Sequence, residues 1–110
     1  MEIEMLFDKA QLLEDIGGDD ELVQRVLDCA AVEIPKEVEL LRSCCAGSDT
    51  EPIRLKAHGI KSIAADLYAA DLREICSQME AAAKNGDLEH ARALLPELEQ
   101  AARATVAALH

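Results

Sequence analysis

The sequence predicts an all-α protein: an antiparallel up-down-up-down four-helix bundle with a short extra N-terminal helix, occupying 1–110 as a single domain. Three observations carry that expectation. Half of the residues are apolar, yet there is one Phe, one Tyr and no Trp, so the core must be built from Leu, Ile, Val, Ala and Met, a helix-favouring set. Apolar residues recur every three or four positions, and no alternating run is long enough for a strand. Short Gly-, Asn- and Asp-rich breaks divide the chain into five segments, and short connections favour antiparallel neighbours. A chain of 110 residues can bury one core but not two.

The first helix starts at Asp8, which with Gln11 forms a capping box, while Phe7 staples onto Leu12. Gly17-Gly18 ends it. Asp19, Asp20 and Glu21 suit the positive end of a second helix, whose inner face is read as Leu22, Val26, Ala30, Ile34, Val38 and Leu41, with a kink at Pro35. Ala46 to Asp49 is a loop. Ser48, Asp49 and Thr50 are the available N-caps of a third helix that tolerates Pro52 in its first turn and runs to about Leu67. The fourth carries Leu72, Ile75, Cys76, Met79 and Ala83 on one face and stops at Lys84-Asn85-Gly86. Asp87 caps the fifth, which has the cleanest stripe: Leu88, Ala91, Leu94, Leu95, Leu98, Ala101, Ala102, Thr105 and Leu109, with a bend expected at Pro96.

Charge and cysteines narrow the function classes. The formal charge of −11 opposes nucleic acid and anionic lipid surfaces, so neither is expected as a partner. Glu2 and Glu4 stand where a signal peptide would need a basic start, and no apolar run spans a membrane, so a cytoplasmic location is expected; a monomer is the default expectation. Cys29, Cys44, Cys45 and Cys76 contain no C-x-x-C pair; they are expected to be reduced, with no metal site. No G-x-x-x-x-G-K-[ST] loop is present, so the chain is not expected to be a kinase or ATPase. No pair of Glu-x-x-His motifs supports a haem or di-iron bundle.

The third helix carries the chemistry. Ile53, Ala57, Ile60, Ala64 and Leu67 define its inner seam, and at ~100° per residue His58 lies roughly 140° from the centre of that seam. His58 therefore faces solvent. Arg54, Lys61 and Ser62 lie one turn away on the same side, and Gly59, Ser62 and Ala65 keep the surround small. An exposed, mostly neutral imidazole has a ring nitrogen free to attack phosphorus, and Lys61, with Arg54 beside it, can offset phosphoryl charge. His90 and His110 lack such a neighbour and are read as surface residues. Leu55, also outward, is a candidate docking contact.

The string Ala57-His58-Gly59-Ile60-Lys61-Ser62-Ile63-Ala64-Ala65 resembles the A-H-x-L-K-G-x-A-x motif of histidine-phosphotransfer domains. The resemblance extends to the Phe7-Asp8 entry with Gly17-Gly18-Asp19 and to the turn Asn85-Gly86-Asp87-Leu88 before Ala93 to Leu98. It implies a phosphorelay intermediate with His58 as phosphoacceptor, becoming phosphohistidine, and Lys61 as its basic companion. The implied partners are a response-regulator receiver domain and a hybrid sensor histidine kinase, docking over Arg54, Leu55, Gly59, Ser62 and Ala65. No cofactor of its own is implied; Mg²⁺ is expected on the receiver. Two positions depart from the pattern: Ser62 replaces the common Gly, and Tyr68 a common small residue. Ser62 either impedes a receiver's approach or hydrogen-bonds the phosphoryl oxygens. The alternatives are a transfer-deficient helical module that binds a receiver or kinase, and a metal- or redox-responsive bundle using Cys44 and Cys45.

Overall fold

The computed structural model describes residues 7–109. Within them the chain forms five helices: α1 (Lys9–Asp15), α2 (Asp20–Cys45), α3 (Thr50–Asp66), α4 (Ala70–Lys84) and α5 (Leu88–Leu109). No strand occurs among the described residues. The four long helices close a ring in which each packs against its chain neighbour and α5 returns to α2, while α1 contacts α2. Their buried residues form one continuous apolar cluster.

The starts follow local chemistry. The carboxylates of Asp8, Asp19 and Asp49 accept from the backbone N–H groups of Gln11, Leu22 and Glu51 at 3.0, 3.1 and 3.0 Å, and Asp87 accepts from His90 N–H at 3.0 Å. Each satisfies a donor that has no partner within the helix. The capping box at Asp8 is only half formed. The Gln11 amide donates to Asp15 at 3.1 Å instead, because the Asp8 N–H already donates to the Leu67 carbonyl at 3.1 Å. That bond ties the entry of α1 to the end of α3, and Phe7 and Leu12 are both buried there.

The stops are more uniform. After α4, Gly86 takes φ 75, and the N–H groups of Asp87 and Gly86 return to the carbonyls of Ala82 and Ala83 at 2.9 and 3.0 Å. This is the paired closure that left-handed backbone permits. After α3 the same closure recurs with Tyr68 at φ 57: Ala69 N–H reaches Ala64 O at 2.8 Å and Tyr68 N–H reaches Ala65 O at 3.1 Å. Tyr68 thus occupies a conformation that costs an L-residue about 1–2 kcal/mol. Its hydroxyl donates to Asp15 at the end of α1, a second tie between the same two elements.

One face differs from the sequence reading. Leu22, expected inside, is 41% exposed, and Val23 and Leu27 are buried in its place. Counting back from fully buried Ile34, Leu27 and Val23 lie about 20° to either side of its line, whereas Leu22 lies about 120° away. The expected seams of α3 and α4 are buried as read, and those of α5 are buried or partly buried. Thr105 fits the apolar seam because its hydroxyl donates to the Ala101 carbonyl at 2.8 Å. Pro35 and Pro96 lie inside α2 and α5, which continue through them. The turn between α2 and α3 is closed from α5, where Arg92 donates to the carbonyls of Cys45 and Gly47 at 2.7 and 2.6 Å.

Candidate functional site

Burial of Ile53, Ala57, Ile60 and Ala64 against the core fixes the rotation of α3 and sends the His58 side chain outward, where it is 57% exposed. The ring is not free, however: Nδ1 lies 2.9 Å from Oε2 of Glu80 on α4. The other Glu80 oxygen, Oε1, is 2.5 Å from Lys61 Nζ. One carboxylate from the neighbouring helix therefore joins the two residues that the motif singled out.

Glu80 flanks the buried Cys76 and Met79 and is itself only 18% exposed. The Lys61 hydrogen bond holds its carboxyl below the usual carboxylate range; burial pushes upward, and the His58 contact adds to the lowering. At neutral pH Glu80 is therefore an anion that only accepts hydrogen bonds. The proton in the contact must then reside on His58 Nδ1, and in the neutral ring the lone pair belongs to Nε2. Nε2 has no hydrogen-bond partner among the described residues.

The other expected site residues divide. Arg54 is turned to Glu51, with Nε–Oε1 and Nη2–Oε2 distances of 2.8 and 2.5 Å, so its guanidinium is engaged away from the imidazole. That contact raises the Arg54 pKa and lowers the Glu51 pKa. Ser62 Oγ donates to the His58 carbonyl at 3.1 Å, a common use of a helical hydroxyl. Leu55 is 55% exposed, Ser62 is exposed, and Gly59 and Ala65 are half-buried. A Cβ on Gly59 would meet only the Glu37 carboxylate of α2, at 4.0 Å. His90 is exposed on α5, as expected, and His110 lies outside the described residues.

Glu80 was missed by sequence reasoning. Its only signal is position: it stands at the edge of the α4 seam, four residues after Cys76, where a carboxylate can reach across to the next helix. The four cysteines are free, with Cys45 and Cys76 buried; burial pushes the Cys76 thiol up to about 12. Among the described residues no group of three or more His, Cys, Asp or Glu is placed to hold a metal. A groove of about 360 Å³ lined by Ile34, Pro35, Val38, Ala102 and Val106 runs between α2 and α5. It belongs to a seam that includes neither α3 nor α4, and so is separate from His58.

An outward histidine on the third of five helices, held in a ring of four, defines a class that comparison identifies. The chain belongs to the Hpt domain family, whose model matches residues 25–108 and so covers His58, Lys61 and Glu80. Its fold is similar to histidine-containing phosphotransfer protein B from Pseudomonas aeruginosa PAO1, with a TM-score of 0.85 and 20% identity over 94% of this chain and 90% of that one. It is also similar to the HPT domain of the Hpt sensor hybrid histidine kinase from Shewanella, with a TM-score of 0.62 and 14% identity over 94% and 95% of the two chains. No curated protein matches the chain significantly.

Proposed function

We propose that this chain is a phosphorelay intermediate that accepts a phosphoryl group on His58 and passes it to or from receiver-domain aspartates. The observation that supports it most directly is the exposed imidazole with Nδ1 tied to Glu80 at 2.9 Å, in a chain of the Hpt family. The Nε2 lone pair attacks the phosphorus of a receiver's aspartyl phosphate. An N–P bond forms, the P–O bond to the aspartate breaks, and the electron pair leaves on that carboxylate.

Lys61 stabilises the arriving charge. Its ammonium has three donors and spends one on Glu80. The receiver supplies the acidic pocket and the Mg²⁺, so this domain contributes a positioned nucleophile and no kinase activity of its own. A hybrid sensor kinase is the expected source of phosphoryl groups. Leu55, Gly59, Ser62 and Ala65 form the docking face, with Arg54 at its edge. Docking leaves the Ser62 hydroxyl two uses, the His58 carbonyl it now holds or a phosphoryl oxygen.

The reading carries an up-down-up-down course for α2 to α5, supported by the short turns and by the packing of each helix on its chain neighbour. No helix among the described residues is long and apolar enough to cross a membrane, and a cytoplasmic location is part of the proposal. The test is labelling by a phosphorylated receiver with Mg²⁺. An acid-labile, base-stable phosphate is expected on the native chain and on H90Q but not on H58Q. Label that survives in H58Q sinks the assignment; binding without labelling points to the transfer-deficient module.

A further inference from the structure

The ring of four helices leaves a groove on the side away from His58, where α5 returns to α2. At about 360 Å³ it lies within the range of small-molecule sites, and the sequence explains why it stays open. Ile34 and Ala102 are buried at its floor, and Pro35 and Ala107 stand exposed at its edges. Neither edge residue carries a chain long enough to cover it. Val38 and Val106, half-buried on facing helices, complete an apolar lining.

Charge gathers toward one end. The charged side chains lining the groove are Arg42, Glu99 and Arg103. Arg42 donates from both Nε and Nη2 to Oε2 of Glu99, so these two neutralise each other. Arg103, one turn further along α5 and exposed, takes no ion-pair partner among the described residues. Two guanidiniums against one carboxylate leave a local excess of positive charge in a chain whose formal charge is −11.

We propose that this groove binds a free amphiphilic carboxylate, of the chemical class of a medium-chain fatty acid, with its tail on Ile34, Val38 and Val106 and its head on Arg103. The planar fork of a guanidinium matches a carboxylate, and Arg42 gives only two of its five donors to Glu99. An ammonium head would meet two guanidiniums instead. From Ile34 to Arg42 the helix rises about 12 Å, which sets the length of tail the groove can cover. A membrane surface does not fit the same feature, because the apolar residues line a concavity and the net charge opposes anionic lipid. Direct contact must carry the binding: the whole chain repels an anion at long range, and at physiological salt that field is screened beyond about 8 Å. The proposal does not rest on His58, and H58Q should bind as the native chain does.

The probe is decanoate, titrated into the full chain at concentrations where it is monomeric and followed by calorimetry and by NMR of side-chain methyl groups. Saturable one-to-one binding is expected, with shifts at Ile34, Val38 and Val106 and none at Leu55 on the opposite side. Arg103→Gln should weaken binding about tenfold or more through loss of a charge-assisted hydrogen bond. Octanoate should bind more weakly than decanoate, by up to about fourfold for each methylene lost, and decylammonium more weakly still. Ala107→Phe and Val38→Phe fill the groove from facing helices and should abolish binding. Thermal melts verify that they fold, and the exposed position of Ala107 makes its variant the milder change. No saturation, equal binding by the native chain and Ala107→Phe, or decylammonium binding as tightly as decanoate overturns the proposal. Sedimentation that shows a dimer broken by Ala107→Phe also overturns it, since the groove is then an interface between copies of the chain.

Discussion

Gly59 sits in the middle of α3, next to the proposed phosphoacceptor, and offers a test in which stability and function separate. It is not among the glycines with positive φ, so alanine can adopt its backbone conformation. A Cβ there meets only the flexible end of Glu37 at 4.0 Å. Gly59→Ala should therefore recover the helix-propensity cost of an interior glycine, about 0.8–1.0 kcal/mol. For a chain of 110 residues, with an unfolding entropy of about 2.1 cal/mol/K per residue, the expected rise in Tm is about 4 °C. Urea titrations and thermal melts measure both quantities. A Tm that falls or does not move would refute the reasoning, since it would mean that α3 is strained at Gly59 or packed more closely there than its geometry shows. The functional half uses Gly59→Leu. Bulk on the docking face should slow transfer from a phosphorylated receiver by about tenfold or more, a barrier of about 1.4 kcal/mol, while labelling by phosphoramidate stays unchanged.

Further outcomes follow from other contacts. Removing the Lys61 ammonium in K61A takes away the largest cause that holds Glu80 low, so the Glu80 carboxyl should titrate at higher pH by carboxyl NMR, and transfer to His58 should slow. Because a depressed carboxyl stabilises above its unfolded pKa and loses that contribution as pH falls through the folded value, the stability gap between native and E80Q should close on acidification below about pH 4, as read by melts across pH. Arg92→Ala removes two charge-assisted bonds to the α2–α3 turn and should cost about 1–2 kcal/mol in denaturant titrations, with Arg92→Lys failing to restore the fork geometry. A disulfide reagent should modify exposed Cys29 first and half-buried Cys44 more slowly, reaching Cys45 and Cys76 only on unfolding.

Much of the fold was legible because helix geometry is written locally. Asp8, Asp19 and Asp87 announce their helices through side chains that need only a nearby backbone N–H. The α3 seam could be counted from residue spacing alone. The Leu22 error shows where counting weakens: both Leu22 and Val23 are apolar, and only the phase set by deeper residues such as Ile34 decides between them. Tyr68 was legible as an oddity but not as a structure. Nothing local says that a tyrosine will close α3 in left-handed backbone; the closure depends on Ala64 and Ala65 carbonyls and on Asp15 from another helix.

The site divides along the same line. Exposure of His58 and the proximity of Lys61 follow from a single helix wheel, so sequence periodicity captures them. Glu80 does not, because its meaning arises only where α4 packs against α3. In the sequence it is one of 22 acidic residues, placed at the rim of an apolar stripe where charged residues are ordinary. Packing brings the two oxygens of that one carboxylate to the histidine and the lysine at 2.9 and 2.5 Å. The motif marks His58 and Lys61, but the carboxylate that joins them comes from across the helix seam. An isolated α3 would keep both motif residues and lose the carboxylate that joins them, because Glu80 belongs to α4.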